Sequence, residues 1–403
     1  MGKTIWIVNQ YTGSPIHGME YRHYYIASEL VRQGHRVVVF SGSYSHLYKK
    51  QPLINGNYTT EWIDGIEYRW LKVPHYERSV SLKRILNMFA FVWRMRTMAI
   101  TEIAKPDAII ASSPSPFVIR TASKWAKKFK AKLIFEIRDI WPLTLQELSG
   151  LKNSHPLIWL MRQYELFGYK KADYVVSLLP NAKSHFLSSG MQESKFRYIP
   201  NGVDLNEISS VEQVSDDFKK QIPTDKFIVG YTGSLGASNA MEFLIEAILL
   251  MQDNSEVFFV IVGNGDNKKD LETRCQNCKN VIFIDSVPKK QIPSVLELFD
   301  ACFIAMHQSK LYQFGVSLNK MFDYMYSGKP LLLSLDSPNN PAEVSGCSLV
   351  VTPESPQEIV RGIQQLVSMS SEARKAMGSL GKSYVIEHHT YQALSKKYLD
   401  LII

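Results

Sequence analysis

The sequence predicts an α/β protein made of two doubly wound, Rossmann-like domains with mostly parallel sheets, facing each other across a cleft. Three observations carry this expectation. The chain has 403 residues, and single hydrophobic cores stop growing near roughly 250–300 residues, so it divides. Short apolar, β-rich runs alternate with longer helical patterns, which is the signature of parallel βαβ units. The second half of the chain repeats that alternation.

In the first half, Thr4-Ile5-Trp6-Ile7-Val8 reads as the opening strand, followed by a turn-rich loop from Asn9 to Gly18. A helical pattern runs from Glu20 to Gln33 and stops at Gly34, a natural residue for the position after a helix. Val37 to Phe40, Ala108 to Ile110, Lys132 to Ile137 and Tyr174 to Ser177 read as further buried strands. Asn55 to Val73 alternates polar and aromatic residues and reads as a hairpin inserted on that sheet. In the second half, Phe227 to Tyr231 leads into the loop Thr232–Gly236 and a helix reaching Met251. Val257 to Val262, Val281 to Ile284, Ala301 to Ala305 and Pro330 to Ser334 follow as strands. Asp204 to Asp225 is polar and poorly periodic, and reads as the linker. The closing stretch from Lys375 to Ile403 is helical in pattern. The expected domains are therefore 1–204 and 205–374, with 375–403 as a terminal helix.

The composition, 45% apolar and 21% charged, is that of a folded globular protein. A net charge of +8 favours an anionic partner such as a nucleotide, an anionic lipid surface or nucleic acid. No helix-turn-helix, zinc-finger or RNP pattern is present, so nucleic acid is not expected. Cys275 and Cys278 form one C-x-x-C, but no second pair accompanies it, so they read as unpaired thiols on a helix. Few cysteines and no secretory signal point to the cytoplasm. Trp6 stands where myristoylation needs Ser or Thr, and no 18-residue apolar run spans a membrane.

Doubly wound domains bind ligands in the loops after their strands. The first such loop holds Gly13, Ser14, His17 and Gly18; it is either a backbone cradle for an anion or a plain βα turn. The second, with Gly233, Ser234 and Gly236, has the same logic. The third, Gly263-Asn264-Gly265, fails as a dinucleotide fingerprint, because Lys268 stands where the third glycine belongs. The fourth runs through Ser317, Leu318, Asn319, Lys320 and Asp323. A helix starting near Ser317 offers free N–H groups to a diphosphate, and Lys320 and Asp323, three apart, share a face. There the cation suits phosphate and the carboxylate suits both hydroxyls of a ribose.

At this point the sequence resembles a known family. Ile199-Pro200-Asn201-Gly202-Val203-Asp204 is similar to the IPNGVD turn of retaining GT-B glycosyltransferases of family 4. Ala172 to Val176 before it and Tyr231 to Gly236 after it agree in order and spacing, as does Asp323-Tyr324-Met325-Tyr326-Ser327-Gly328-Lys329-Pro330. Glu136 to Pro142 and the Asn319-Lys320 pair look like the branch that acts on amino-deoxysugars in surface polysaccharide synthesis.

The resemblance implies a GT-B fold, a nucleotide-sugar donor (a UDP-sugar) on the second domain, and an acceptor on the first. The glycine loops would face the diphosphate, Asp323 would bind the ribose, and Ser286 and Val287 would pair with the base. The final helix would cross back onto the first domain. Four positions depart from the family: Gly315 replaces a glutamate, Ser234 and Asn239 replace an arginine and a lysine, and Arg138 replaces a histidine. Charge neutralisation then shifts to Lys320. The implied reaction is front-face substitution with retention, in which negative charge develops on the leaving phosphate. Lys320, Asp139, Arg138 and Glu136 are the catalytic candidates; Arg138 and Asp139 are open to a second reading as an ion pair at a strand end. No metal and no cofactor are expected.

Leu82, Ile85, Leu86, Phe89, Val92 and Trp93 fall at helical spacing with Lys83, Arg84, Arg94 and Arg96 around them. Such a helix either packs on its own sheet or lies in a membrane interface. The interface reading implies a protein peripheral to the inner face of the cell membrane and a polyprenyl-diphosphate-linked saccharide as acceptor. The rival functions are a UDP-sugar epimerase and a non-catalytic scaffold.

Overall fold

The computed structural model describes residues 2–18, 21–77 and 81–403, the side chain of Leu148 excepted. The chain divides into two units, Met1–Pro200 with Tyr391–Ile403, and Asn201–Thr390.

The first unit carries β1 (Thr4–Val8), β2 (Arg36–Gly42), β3 (Tyr58–Ile63), β4 (Ile66–Leu71), β5 (Ala108–Ser112), β6 (Lys132–Ile137), β7 (Tyr174–Ser177) and β8 (Phe196–Tyr198). They form one sheet in the order β3-β4-β2-β1-β5-β6-β7-β8. All neighbours are parallel except β3 and β4. The central strands are apolar on both faces because helices cover both sides. Register places Ile7 opposite Val39 and Ile110, with Ile134 beyond, all buried. The expected hairpin is present. Its turn, Asp64-Gly65, has φ of 50° and 78°, the paired positive values a two-residue hairpin loop requires.

The second unit carries β9 (Phe227–Thr232), β10 (Val257–Val262), β11 (Val281–Ile284), β12 (Ala301–Ala305), β13 (Leu331–Ser334) and β14 (Ser348–Val351). Their order is β11-β10-β9-β12-β13-β14, and every pair is parallel. Both units are thus Rossmann-like α/β domains, as the alternation of elements predicts.

Two elements differ from expectation. Residues 204–225 are not a free linker. They form helices Leu205–Ser209 and Asp216–Lys219, and Val214, Phe218 and Ile222 are buried in the second-domain core. The closing helical stretch is two helices, Ser371–His388 and Tyr391–Ile402. His389 breaks the run with φ −129°, and Thr390 bridges to Val203. Only the last helix belongs to the first unit, where Leu394, Tyr398 and Leu399 enter its core. All four cysteines are free thiols, and Cys278 lies beyond the helix Lys268–Arg274 that ends at Cys275.

The Leu82–Thr97 helix has two faces. Ser81 Oγ caps it by accepting from the Arg84 N–H. Met88, Phe91, Val92 and Met95 pack inward, while Leu82, Leu86 and Trp93 are 80%, 62% and 62% exposed. Among the described residues no helix is long and apolar enough to cross a membrane.

Candidate active site

In the second unit the loops following β9, β10 and β11 meet. Gly233 donates its N–H to Val262 O at 3.0 Å, and Leu235 donates to Asn264 O at 2.9 Å. Backbone presses on backbone here: a Cβ on Gly263 would stand 1.8 Å from Gly233 O, and one on Gly265 2.6 Å from Leu235 O. No side chain fits at either place, which is the physical reason for glycine. Asn264 Nδ2 donates to Ser286 Oγ at 3.1 Å and so ties the third loop to the second.

Lys320 projects onto this turn from the helix Asn319–Ser327. Its ammonium donates to Tyr231 Oη at 2.8 Å and to Asn239 Oδ1 at 2.7 Å, and lies 4.4 Å from the centroid of the Tyr231 ring. A Cβ on Gly233 would be 2.9 Å from Lys320 Nζ. Among the described residues no carboxylate pairs with this ammonium, and burial pushes its pKa down to about 7. A half-sequestered cation with only neutral partners is poised for an anion. Tyr324, one turn further along the helix, fixes its position: Tyr324 Oη donates to Thr232 O at 2.9 Å and accepts from Thr232 N at 2.7 Å. His307 holds the segment bearing Asn239, with its Nε2 3.0 Å from Ala237 O and its Nδ1 3.0 Å from Glu354 Oε1.

Ser317 and Leu318 lead into the same helix, whose first turn has no side-chain cap. Ser317 Oγ accepts from Asn201 N at 2.8 Å, and Ser317 O accepts from Asn201 Nδ2 at 2.7 Å. Asn319 is exposed at the first helical position.

Asp323 does not join Lys320. It lines a separate pocket of about 290 Å³ with Glu207, Lys289 and Tyr326. Burial raises its pKa to about 6, opposed by the Lys289 charge. Lys289 is held by Glu207 at 2.8 Å. Val287, just before Lys289, packs against the second-domain core, so any contact it makes with a base would be through its backbone.

The first unit brings together less of what was expected. Gly13 to Gly18 folds on itself: Ser14 O accepts from Gly18 N at 2.8 Å, and Ser14 Oγ meets His17 Nδ1 at 2.9 Å. Tyr68 Oη donates to Gly13 O at 3.0 Å. Ser14 and His17 are buried, and the His17 ring lies 4.8 Å from Trp70. Ser14 is spent on His17, and His17 on Trp70 and Glu61 of the hairpin, so only the loop backbone remains for a ligand. Burial, its largest influence, holds the His17 pKa down.

Glu136 is a correction. Its carboxylate is fully enclosed and accepts from Ser112 Oγ at 2.7 Å, Arg22 Nη2 at 3.2 Å and Tyr398 Oη, with His23 Nε2 at 2.7 Å. Burial works to raise its pKa, but Arg22, His23 and Tyr398 together hold it well below the usual range. An ion so enclosed anchors the fold and cannot touch an acceptor. Its partners lie 113 or more residues away in sequence, Ser112 apart, so no local pattern announces them. Arg138 and Asp139 do sit at the carboxyl end of β6, Arg138 half-buried and Asp139 exposed; the Arg138 N–H donates to Ser113 Oγ at 2.8 Å.

Sequence reasoning missed Tyr231, Tyr324 and His307 as members of the site. Asn239 was visible as a departure from the family pattern, which placed a lysine there.

Residues 16–207 match the model of glycosyltransferase family 4, and residues 213–384 match that of glycosyl transferases group 1. A protein of Escherichia coli (strain K12) named for colanic acid biosynthesis, the glycosyl transferase WcaI, is 24% identical over 83% of this chain and 85% of its own. An uncharacterized glycosyltransferase of Methanocaldococcus jannaschii, MJ1069, is 24% identical over 57% of this chain and 58% of its own. Among solved structures, sucrose-phosphate synthase from Thermosynechococcus elongatus superposes with a TM-score of 0.73 at 13% identity, covering 99% of this chain and 98% of its own. Anabaena Alr3699/HepE, in complex with UDP and glucose, gives 0.66 at 15% identity, with 99% and 98% covered. At such identities the structures speak for the fold alone. Taken with the two family models, which between them run from residue 16 to residue 384, they show that the chain belongs to the GT-B glycosyltransferases of the family 4 type.

Proposed function

We propose that the chain transfers a sugar from a UDP-sugar to a lipid-linked or saccharide acceptor, with retention, in the synthesis of O-antigen, capsule or a related bacterial polysaccharide. The sugar in this reading is an N-acetylated amino or deoxy sugar. The observation that carries it is the Lys320 ammonium, which has no carboxylate partner among the described residues and stands 2.7 Å from Asn239 on the glycine turn. The family lysine falls at Asn239 by resemblance, so Lys320 supplies from the 319–327 helix the charge that position lacks.

In this reading the diphosphate lies on Gly233, Ser234 and Gly236, against the N–H groups of the helix that starts at Asn319. Lys320 offsets the charge that develops on the leaving phosphate, and the acceptor hydroxyl attacks the anomeric carbon from the face the diphosphate leaves. Asp323 takes the ribose hydroxyls, and the backbone at Ser286 and Val287 faces the base. Asp139 and Arg138 orient the acceptor. No metal or cofactor is required. The UDP of the HepE complex and the colanic acid role in the name of WcaI support the choice of donor and pathway class.

The exposed residues Leu82, Leu86 and Trp93 seat the first domain on an anionic membrane surface, with Lys83, Arg94 and Arg96 beside them. Arg84 is spent on Tyr11, 5.3 Å from its ring.

The test is a thermal-shift screen against UDP, GDP and NAD, followed by transfer assays with UDP-N-acetylated sugars. Stabilisation by UDP and an α-linked product from an α-linked donor are expected. Stabilisation by NAD alone, or an inverted product, would overturn the reading.

A further inference from the structure

Beside the Leu82–Thr97 helix the first domain holds a groove of about 930 Å³, within the size range of small-molecule sites. Its floor is aromatic. Phe89 and Phe117 stack at 4.7 Å, and Tyr164 meets Phe117 edge-on at 5.1 Å. Lys72, Arg94 and Arg96 stand around it, and among the described residues that line it there is no carboxylate. Apolar walls with cations and no anions suit a hydrocarbon chain that ends in a negative group.

The groove is continuous with the exposed face of the helix. Leu82, Leu86, Phe89 and Trp93 fall four, three and four residues apart, a single stripe. Leu86, Phe89 and Trp93 of that stripe also line the groove. At its other side the groove reaches Ser43, which follows β2, and Lys72 to His75, which follow β4. Ligands of doubly wound sheets are handled at these carboxyl ends of the strands. One wall therefore belongs to a face fit for lipid and the other to the edge where chemistry is done.

We infer that the groove receives the hydrocarbon chain of a phosphate-bearing lipid, the lipid moiety of the acceptor, and leads its head toward the carboxyl edge of the sheet. This rests on the reading above that the acceptor is lipid-linked. A bulk bilayer phospholipid would coat the stripe but has no reason to extend to Lys72 and His75.

Farnesyl monophosphate is the probe. The full chain should be stabilised by it in a thermal-shift titration, and should not respond to inorganic phosphate or to dihexanoyl phosphatidylglycerol. Ala90 lines the groove, so Ala90→Trp fills it while leaving Leu82, Leu86 and Trp93 in place. That variant should lose the farnesyl phosphate response and keep the wild-type response to UDP. Lys72→Glu, an exposed change, should weaken farnesyl phosphate about tenfold and leave farnesol unaltered; it also serves if Ala90→Trp does not fold. An undiminished farnesyl phosphate response in a folded Ala90→Trp, or an equal response to the short-chain phospholipid, would overturn the inference. Loss of the UDP response with farnesyl phosphate binding intact would count against the donor assignment and leave the groove assigned.

Discussion

Lys320 Nζ and Asn239 Oδ1 lie 2.7 Å apart, although 81 residues separate them. The cation and the amide meet over the glycine turn because Tyr324 locks the 319–327 helix to the end of β9. If that cation serves the leaving diphosphate, Lys320→Met should lower kcat/KM by about 10²–10³, the usual loss for one preorganised charge stabiliser. Adding Asn239→Lys to that variant returns a cation to the same spot and should recover part of the loss. Steady-state kinetics on the single and double variants check this, and full activity in Lys320→Met would sink the role.

The pH dependence follows from the same lysine. Its pKa in the folded protein is depressed to about 7. The free enzyme then loses the cation as pH rises through about 7, so kcat/KM should fall above that point. Stability moves the other way. Between the folded value and 10.5 the unfolded chain binds more protons, so stability rises with pH across that window. Lys320→Met should flatten both trends and raise the melting temperature at neutral pH. Urea titrations at pH 7 and pH 9 read the difference.

Gly263→Ala should be far more damaging than Gly236→Ala. The new methyl at 263 would meet a carbonyl oxygen at 1.8 Å, whereas at 236 the nearest atom is Ser234 Oγ at 3.5 Å. Overpacking of this kind costs roughly 1–3 kcal/mol, and it would spread the two glycine turns, 233–236 and 263–265. Gly236→Ala should stay within about 0.5 kcal/mol of wild type.

How far the sequence foretold these features varied with their physics. Lys132–Ile137 was read to the residue because Leu133, Ile134 and Phe135 form the continuous apolar stretch that a strand buried on both faces needs. Ser348–Val351 was missed because four residues at a sheet edge carry little periodicity. Residues 204–225 read as a linker, since Val214, Phe218 and Ile222 are the few apolar residues in a polar stretch and act only by packing on the second core. Glu136 was misplaced for a related reason: its burial is decided by Arg22, His23 and Tyr398. The place of Lys320 beside the glycine turn was legible by contrast, because that loop lacks the arginine and lysine of the family pattern.

Asp323→Asn should weaken UDP binding about tenfold if the carboxylate receives ribose. The raised pKa of about 6 adds a signature. UDP affinity of the wild type should fall as pH drops through 6, and that of the variant should not. Calorimetric titrations at pH 5.5 and pH 7.5 test it.

Glu136→Gln removes the carboxylate that faces Arg22 and should cost about 3–5 kcal/mol, the loss expected when a buried ion pair loses one member. Tyr398→Phe should cost about 1 kcal/mol. Chemical denaturation would order the two, and an inverted order would show that the Tyr398 hydroxyl, not the charge pair, holds this knot.

The Tyr398 hydroxyl reaching Glu136 also sets a timetable for biogenesis. Leu394, Tyr398 and Leu399, in the segment 391–403, complete the core of a domain whose residues outside that segment all precede position 201. On the ribosome that domain emerges early and waits, with Arg22 and Glu136 together but unsealed, while the second domain is made. The domain translated first is therefore the last to close, and a message cut short before codon 391 yields a first domain exposed to proteases and chaperones.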